Sequence, residues 1–337
     1  MISVEKMSRS IKAFVKPLLA PKIPKSISEQ FRHINQKNMN LIEASLKQNY
    51  FIHENASYKD NEAYLSSDEG QKDLRDHLYG RLDVFRNTII PWLSNAKPLS
   101  GSRILEIGCG TGSSAVALAE QGADVTAVDI IEKDLIVAKV RSRIYDLNVN
   151  FICANATEVN EIFVNQHFDF IIFFASLEHM THNERMIAMK NTWDMLSPGG
   201  LWCVIETPNR LWYYDSHTSL LPFYHWLPDD LAFLYSQFSP RKTFCNSYRE
   251  LDDDSKLAFL RKGRGVSYHE FELTMKRAEK LDVVSSMQIF LRSQNFLYKV
   301  LWALTNKRRF ELLIRQVGPN IHKGFYHQDL DLIIRKD

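Results

Sequence analysis

The chain has 337 residues, of which 45% are hydrophobic and 24% charged, so it can bury a full core and disorder is not expected. The 42 Lys and Arg side chains nearly balance the 40 Asp and Glu side chains, which argues against a surface that neutralises many phosphates. We therefore expect no nucleic-acid partner. No apolar run reaches the roughly 18 to 20 residues needed to cross a bilayer, and there is no signal-peptide pattern.

The pattern of the four cysteines indicates the cellular compartment of the protein. Cys109, Cys153, Cys203 and Cys245 show no paired metal-ligand spacing, and the first three lie in or beside apolar runs. Small buried thiols of this kind are typical of a reducing environment. We expect a cytoplasmic protein.

Residues 1–26 are basic and carry apolar side chains at helical spacing. Such a segment can lie on an anionic surface, here the inner face of the membrane, as a peripheral contact. Pro17, Pro21 and Pro24 interrupt the pattern and favour instead a mobile arm or a helix packed on its own domain. Both interpretations stand at this stage.

The next part of the chain changes from a helical to an alternating pattern. Residues 27–101 lack strand signals, and their apolar spacing predicts helices over Phe31–Lys47 and Lys72–Leu93. From Ser102, short β-branched runs alternate with amphipathic segments, as in βαβ units. We expect strands at Arg103–Ile107, Asp124–Asp129, Asn150–Cys153, Phe168–Phe174 and Leu201–Glu206.

Beyond residue 206 lies an insertion rich in aromatic residues and prolines, residues 207–281, followed by a C-terminal part, residues 282–337. Late strands near Asp282–Phe290 and Asp329–Arg335 could complete the sheet. We therefore predict an α/β fold, with a Rossmann-like, mostly parallel, seven-stranded sheet and helices on both faces. Its core is residues 102–206, and the N-terminal helices and the insertion form a lid over the acceptor.

A glycine-rich loop follows the first predicted strand. Gly108, Gly110 and Gly112 alternate before a helix that begins near Ser113, and this spacing lets the backbone turn sharply and approach a ligand closely. A dinucleotide fold is the rival interpretation, because a helix N-terminus readily receives a phosphate. Glu106, immediately before the loop, would repel a pyrophosphate but could hold the cationic amino group of a methionine moiety. The charge therefore favours a sulfonium cofactor over NAD.

A second acid ends the next strand. Asp129, followed by Ile130, stands 17 residues after Gly112, where a carboxylate can accept both hydroxyls of a ribose. Together with Glu106 and the glycines, it marks the crevice at the carboxyl edge of a parallel sheet.

The segment from Ile104 to Glu206 resembles the class I S-adenosylmethionine-dependent methyltransferases. The resemblance rests on Glu106–Gly112, which includes Cys109, on Asp129, on Ala154–Ala156 after the third strand, and on Leu196–Gly200 before the fifth. It implies S-adenosylmethionine as the cofactor. It also implies that Asn155 and Ala156 border the adenine, although many relatives have Asp in place of Asn155.

Methyl transfer is an in-line displacement, so the protein must align the acceptor and take the proton of a hydroxyl nucleophile. The fourth strand leads into Phe174–Met180, which resembles the same loop in ubiquinone-biosynthesis O-methyltransferases and places Glu178 and His179 at the sheet edge. His179 is a candidate for acid–base or positioning work, and Glu178 for acceptor binding; both could instead orient the next helix. Ala175 replaces an acid that helps to bind metal in those relatives, so we predict no metal.

A second candidate cluster follows the fifth strand. Its Glu206–Arg210 stretch, followed by Asp215 and His217, is similar to stretches in bacterial methyltransferases that modify glycans. A carboxylate beside an imidazole can orient it and raise its basicity, so we predict His217 as general base with Asp215 as its partner. The alternative is that Asp215, His217 and His225 only satisfy backbone groups of the loop.

The remaining predicted acceptor contacts are Arg210, Trp212, Tyr214 and His225, of which the aromatic side chains could form a wall against a sugar face, a ring or a lipid tail. A satellite core under the lid is the structural alternative.

The leading hypothesis is O-methylation of a glycan, glycolipid or other hydroxylated small molecule. Transfer to nitrogen or carbon stays open, as do two rivals: a nicotinamide-dependent oxidoreductase and a cofactor-binding protein without turnover. No residue pattern indicates an oligomeric state.

Overall fold

The computed structural model describes residues 23–51, 60–241, 244, 253–295, 306–318 and 320–337. Most of the basic segment 1–26 and Cys245 therefore lie outside the described residues. No helix in the described ranges is both long and apolar enough to cross a membrane.

The described strands form one seven-stranded sheet in the order β3-β2-β1-β4-β5-β7-β6. Their bounds are β1 Arg103–Ile107, β2 Asp124–Asp129, β3 Asn150–Cys153, β4 Phe168–Phe174, β5 Leu196–Pro208, β6 Asp282–Ser286 and β7 Asp329–Arg335. Strands β1 to β5 are parallel, and β7 runs antiparallel between β5 and β6. The predicted mostly parallel α/β fold is confirmed.

Two strand predictions differ from the structure at their ends. Strand β5 begins at Leu196 rather than Leu201, because Leu196 pairs with Phe168 across a break in register. Strand β6 stops at Ser286, since a helix begins at Met287. The other five strands have the predicted bounds.

Helices cover both faces of the sheet. Their bounds are α1 Lys25–Ser28, α2 Gln36–Ser45, α3 Asn61–Ser66, α4 Asp68–Arg75, α5 Arg81–Val84, α6 Ile90–Ala96, α7 Ser113–Glu120, α8 Glu132–Ile144, α9 Val159–Ile162, α10 His182–Met195, α11 Asp229–Tyr235, α12 Asp253–Leu260, α13 Tyr268–Thr274, α14 Met287–Gln294 and α15 Asn306–Val317. π-helical turns at 76–80 and 85–89 join α4, α5 and α6. The helical segment therefore runs over 68–96 instead of the predicted 72–93, and it is wider at these two turns. Such insertions are frequent beside functional sites.

The sheet separates two hydrophobic cores because successive side chains of a strand point to opposite faces. Phe170 and Ile172 of β4 pack on one face with Trp92 of α6 and the rest of the N-terminal helices. Ile171 and Phe173 pack on the other face with α10 and α13. Burial on both faces explains why β4 is apolar at every position except Asp169.

A buried ion pair fastens the N-terminal helices to the first crossover helix. Arg86, with a side chain 9% exposed, is bonded to both carboxylate oxygens of Glu120, whose side chain is fully buried. The same carboxylate accepts the backbone N–H of Arg32 at 3.0 Å, and Arg86 donates to the Arg32 carbonyl at 2.7 Å. This network joins three segments that are distant in sequence.

We expect Glu120→Ala to lower the free energy of unfolding by about 3 to 5 kcal/mol, because it leaves a buried guanidinium unpaired. Equilibrium denaturation in urea measures this change. Glu161→Ala, at an exposed position, is the matched control and should alter stability by less than about 0.5 kcal/mol. Equal stability of both variants would show that the pair does not fasten the helices.

Candidate active site

The glycine loop lies where β1 meets the start of α7. Gly108, Gly110 and Gly112 have φ angles of +79°, +49° and +78°, which side chains rarely adopt. A Cβ at Gly108 would lie 2.6 Å from Cβ of Ser176, and one at Gly112 would lie 2.7 Å from Cβ of Ala138. A Cβ at Gly110 would meet no protein atom within 4 Å. Packing therefore demands glycine at two positions, whereas Gly110 borders open space that a ligand can fill.

Asp129 is fixed beside this loop. Its Oδ2 accepts the Gly110 N–H at 2.7 Å and its Oδ1 accepts the Ile131 N–H at 2.9 Å, while burial raises its pKa. The carboxylate thus stands at the carboxyl end of β2 with part of its accepting capacity left for ribose hydroxyls. The sugar contact of Asp129 stays a prediction.

Glu106 lies behind the loop rather than on the wall of the cavity. It is completely buried, and burial raises its pKa to about 7. Neither carboxylate oxygen has a hydrogen-bond partner of ordinary geometry in the described part of the chain, although the adjacent Ser114 opposes the rise in pKa. Ser114 itself lines the cavity. A cationic amino group would therefore sense Glu106 through the loop, not by direct contact.

A cavity of about 1010 Å³ opens at the carboxyl edge of the sheet. It brings together most of the predicted cofactor and base residues: Gly108, Cys109, Gly110, Asp129, Ile130, Asn155, Ala156, His179 and His217. The edge between β1 and β4 is where the strand order reverses, and parallel sheets bind ligands there. The cavity is large enough for a cofactor and an acceptor side by side.

The N-terminal helices form one wall of this cavity, and the sequence analysis named no individual residue of that wall. Asp73, His77 and Arg81 line the cavity together with Tyr50. Burial lowers the pKa of His77 to about 2, so its ring is neutral, and its Nδ1 lies 3.5 Å from Oγ1 of Thr111. The i, i+4, i+8 spacing of the first three residues is a sequence signal for one helix face. Arg81 is the cation here that could pair with a carboxylate of the methionine moiety.

A group of acid–base side chains lies at the turn after β4, and two of them, His179 and His217, line the cavity. Glu178 is fully buried in the turn after β4, and its Oε2 accepts a hydrogen bond from Thr207 at 3.1 Å. Its Oε1 lies 3.7 Å from Nε2 of His217 and 3.8 Å from Nε2 of His179. That oxygen has no hydrogen-bond partner among the described residues. One carboxylate oxygen of Glu178 thus lies close to two imidazoles.

Burial sets these pKa values in opposite directions because it disfavours every charged form. The pKa of His217 falls to about 4 and that of His179 is lowered, while the pKa of Glu178 rises to about 7. His179 Nδ1 lies 2.9 Å from the carbonyl of Arg261, which can only accept, so Nδ1 carries the proton. Both imidazoles are therefore neutral at pH 7 and can accept a proton.

The predicted pairing of Asp215 with the His217 ring is wrong. Asp215 accepts the backbone N–H groups of His217, Thr218 and Ser219 and is 2% exposed. Its nearest imidazole belongs to His225, whose Nε2 lies 3.3 Å from Oδ1. Although burial raises the pKa of Asp215, His225 and these backbone donors bring it well below its usual value. Asp215 binds the backbone of its own loop. The carboxylate beside the His217 ring belongs to Glu178 instead.

None of the predicted acceptor contacts lines the large cavity; these are Glu178, Arg210, Trp212, Tyr214 and His225. Trp212 is 4% exposed and donates from Nε1 to the Tyr326 carbonyl at 2.9 Å. His225 is 2% exposed, and its Nδ1 accepts the Gly265 N–H at 3.0 Å. Trp212 therefore fastens the insertion to the C-terminal part, and His225 joins two parts of the insertion, as in the structural alternative.

No group of three or more His, Cys, Asp or Glu side chains in the described ranges is arranged to hold a metal ion.

Comparison with known proteins agrees with this geometry. Residues 104–200 match the family model described as "Methyltransferase domain". The chain is 39% identical over 104 residues to a ubiquinone biosynthesis O-methyltransferase of Coxiella burnetii (strain RSA 493 / Nine Mile phase I), which covers 30% of the chain and 42% of the relative. It is 31% identical over 124 residues to the protein of that name from Bordetella avium, over 36% and 49% of the two chains.

The chain thus spans less than half the length of these curated relatives. One similar solved structure is an S-adenosylmethionine-dependent methyltransferase from Clostridium acetobutylicum ATCC 824, with 22% identity, a TM-score of 0.34, and coverage of 41% of this chain and 56% of that one. The segment from 104 to 200, with its glycine loop and its Asp129, is a methyltransferase domain of the class I S-adenosylmethionine-dependent type.

Proposed function

We propose that this protein transfers a methyl group from S-adenosylmethionine to a hydroxyl oxygen of a small molecule, glycan or glycolipid. One observation carries the proposal: a single cavity connects the glycine loop and Asp129 with two neutral imidazoles, His179 and His217. The loop end suits an adenosyl donor, and the imidazole end suits an acceptor that must lose a proton.

The residues of the chain have three tasks. The bound donor supplies a methyl carbon activated by positive sulfur. Asp129 and the Gly110 backbone would hold the sugar of the donor, and Arg81 would pair with the carboxylate of its amino-acid part. The N-terminal helices and the 254–262 segment enclose the cavity and limit water, which strengthens electrostatic interactions inside it.

His217 is the proposed general base. As the acceptor oxygen bonds to the methyl carbon, the carbon–sulfur bond breaks and the hydroxyl proton passes to the imidazole. The products are the methylated acceptor, S-adenosylhomocysteine and protonated His217. The Nε2–H of that imidazolium faces Oε1 of Glu178, 3.7 Å away, so the carboxylate stabilises the charge that forms.

His217→Ala should lower kcat by about 100- to 10,000-fold, the usual contribution of a positioned general base. Its affinity for S-adenosylhomocysteine, measured by calorimetry, should be unchanged. Turnover is followed by mass spectrometry of an extract incubated with isotopically labelled cofactor, which also identifies the acceptor. His269→Ala, whose side chain is 66% exposed and outside the cavity, is the control. Equal turnover of wild type and His217→Ala would remove this residue from the mechanism.

Asp129→Ala should weaken binding of S-adenosylhomocysteine by about 10- to 100-fold, because hydrogen bonds to a charged acceptor are lost. Calorimetric titration measures the loss. Asp124→Ala removes an exposed carboxylate at the other end of the same strand and should bind normally. Tight binding of NAD, with no binding of S-adenosylhomocysteine by wild type, would contradict the proposed cofactor.

The pH dependence of kcat/KM should show a rise centred near pH 7. Glu178 has a pKa raised to about 7, so its stabilising carboxylate appears only as the pH rises through that value. His217, with a pKa lowered to about 4, is already neutral there and cannot cause the rise. In Glu178→Gln the rise near pH 7 should disappear while a lower rate remains. Its persistence in that variant would assign it to another group.

A further inference from the structure

A row of aromatic rings crosses the outer surface of the insertion and continues onto α15. The ring of Phe310 in α15 lies 5.3 Å from that of Tyr213, measured between centroids. Phe223 lies 6.4 Å from Tyr213 and 5.0 Å from Trp226. The three side chains of the insertion in this aromatic row are each 39% to 49% exposed. Connected apolar side chains that stay exposed mark a contact surface.

Phe223 is held in the aromatic row by an unfavourable backbone conformation. Its φ is +59°, in the left-handed region that side chains rarely adopt. Its backbone N–H donates to the carbonyl of Tyr213, and Tyr214 pairs with Pro222 across the same loop. The backbone is thus strained at a ring that stays half exposed, so burial within the described chain does not account for its position.

Helix α15 extends this surface and adds positive charge. Leu313 and Val317 follow Phe310 at i+3 and i+7, so they lie on nearly the same side of the helix, and Val317 is 81% exposed. Arg308 and Arg309 are exposed in the turn before Leu313. Neither arginine forms an ion pair with a described acidic side chain. Apolar and cationic side chains therefore lie side by side on α15.

The acids of this region do not cancel that charge. Glu311 of α15 is nearly buried and lies 2.8 Å from Nδ1 of His327. Asp229 and Asp230, which come soon after the aromatic row in sequence, each pair with a basic side chain of the insertion. The exposed face of α15 therefore keeps its positive charge.

We propose that the aromatic row and the exposed face of α15 together bind the surface of an anionic lipid membrane. Leucine and valine side chains enter the boundary with the acyl chains, and tryptophan and tyrosine rings favour the headgroup level. The arginines attract the negative charge of the lipids. A second copy of this chain is disfavoured, because a symmetric contact would bring the arginines of the two copies together. This surface is separate from the basic segment 1–26, and its binding requires no methyl transfer.

The first test concerns charge. The full chain is floated with phosphatidylcholine vesicles that contain about 30% phosphatidylglycerol, and with vesicles that contain none. The wild type should bind the anionic vesicles, and the double variant Arg308→Gln/Arg309→Gln should bind them about 10- to 30-fold more weakly. Lys139→Gln/Arg143→Gln is the matched control. It removes the same charge from exposed positions of α8, which packs beside β3 at the edge of the sheet farthest from β6, and should bind normally.

The second test concerns the apolar part of the surface. Leu313→Ser should weaken binding to the same anionic vesicles by about three- to tenfold, because less apolar area enters the lipid boundary. Leu273→Ser, at an exposed leucine of α13, is the control and should bind normally. Thermal unfolding verifies the fold of each variant.

Equal binding of the wild type to both kinds of vesicle would overturn the inference. So would α15 variants that bind like their controls, because the lipid contact would then lie elsewhere, for example in segment 1–26. Sedimentation equilibrium tests the competing occupant. A wild-type dimer that Leu313→Ser converts to a monomer would make this surface an interface between copies and the inference wrong. A monomer that loses vesicle binding only in the α15 variants supports it.

Discussion

The glycine loop after β1 packs very closely against its neighbours, and the geometry of the site depends on this packing. Side chains at Gly108 and Gly112 would collide with Ser176 and Ala138, so the backbone itself forms the surface of the crevice. That surface lies between β1 and β4, where the sheet changes direction and the crossover connections leave an opening. Asp129 reaches the same opening because β2 pairs with β1 in register and ends beside it. A carboxylate and open space therefore coincide at Gly110.

The other side of the crevice depends on buried polar contacts rather than on apolar packing alone. Arg141 of α8 is fully buried and donates to the carbonyls of Thr111, His77 and Leu78. One guanidinium thus connects the cofactor loop with the π-helical turn that carries His77. Because buried carbonyls without partners are costly, this arrangement holds the N-terminal helices at a fixed distance from the loop. The N-terminal helices and the glycine loop are in this way parts of one unit.

Burial also sets the protonation states on which the proposed chemistry depends. Burial lowers the pKa of His217 and so keeps its imidazole neutral. Burial also raises the pKa of the Glu178 and Asp331 carboxyls. Near neutral pH these side chains therefore lie close together while carrying little charge. In the proposed transfer, a positive charge that forms at His217 would lie beside the carboxylate of Glu178, whose Oε1 is 3.7 Å from Nε2 of His217.

Local sequence was sufficient for the sheet and for the position of the glycine loop and Asp129 at its carboxyl edge. The alternation of apolar runs, the glycine spacing and the acids at the ends of β1 and β2 are short-range signals, and five of seven strands have the predicted bounds. Only the tertiary structure decided which carboxylate faces His217. Asp215 is two residues away in sequence, but it turns to the backbone, whereas Glu178 arrives from another strand end. Likewise, Trp212 and His225 are buried by distant segments, and Asp331 meets Glu206 only through antiparallel pairing. Contacts between residues far apart along the chain depend on how the elements pack, and no local pattern in a single sequence encodes them.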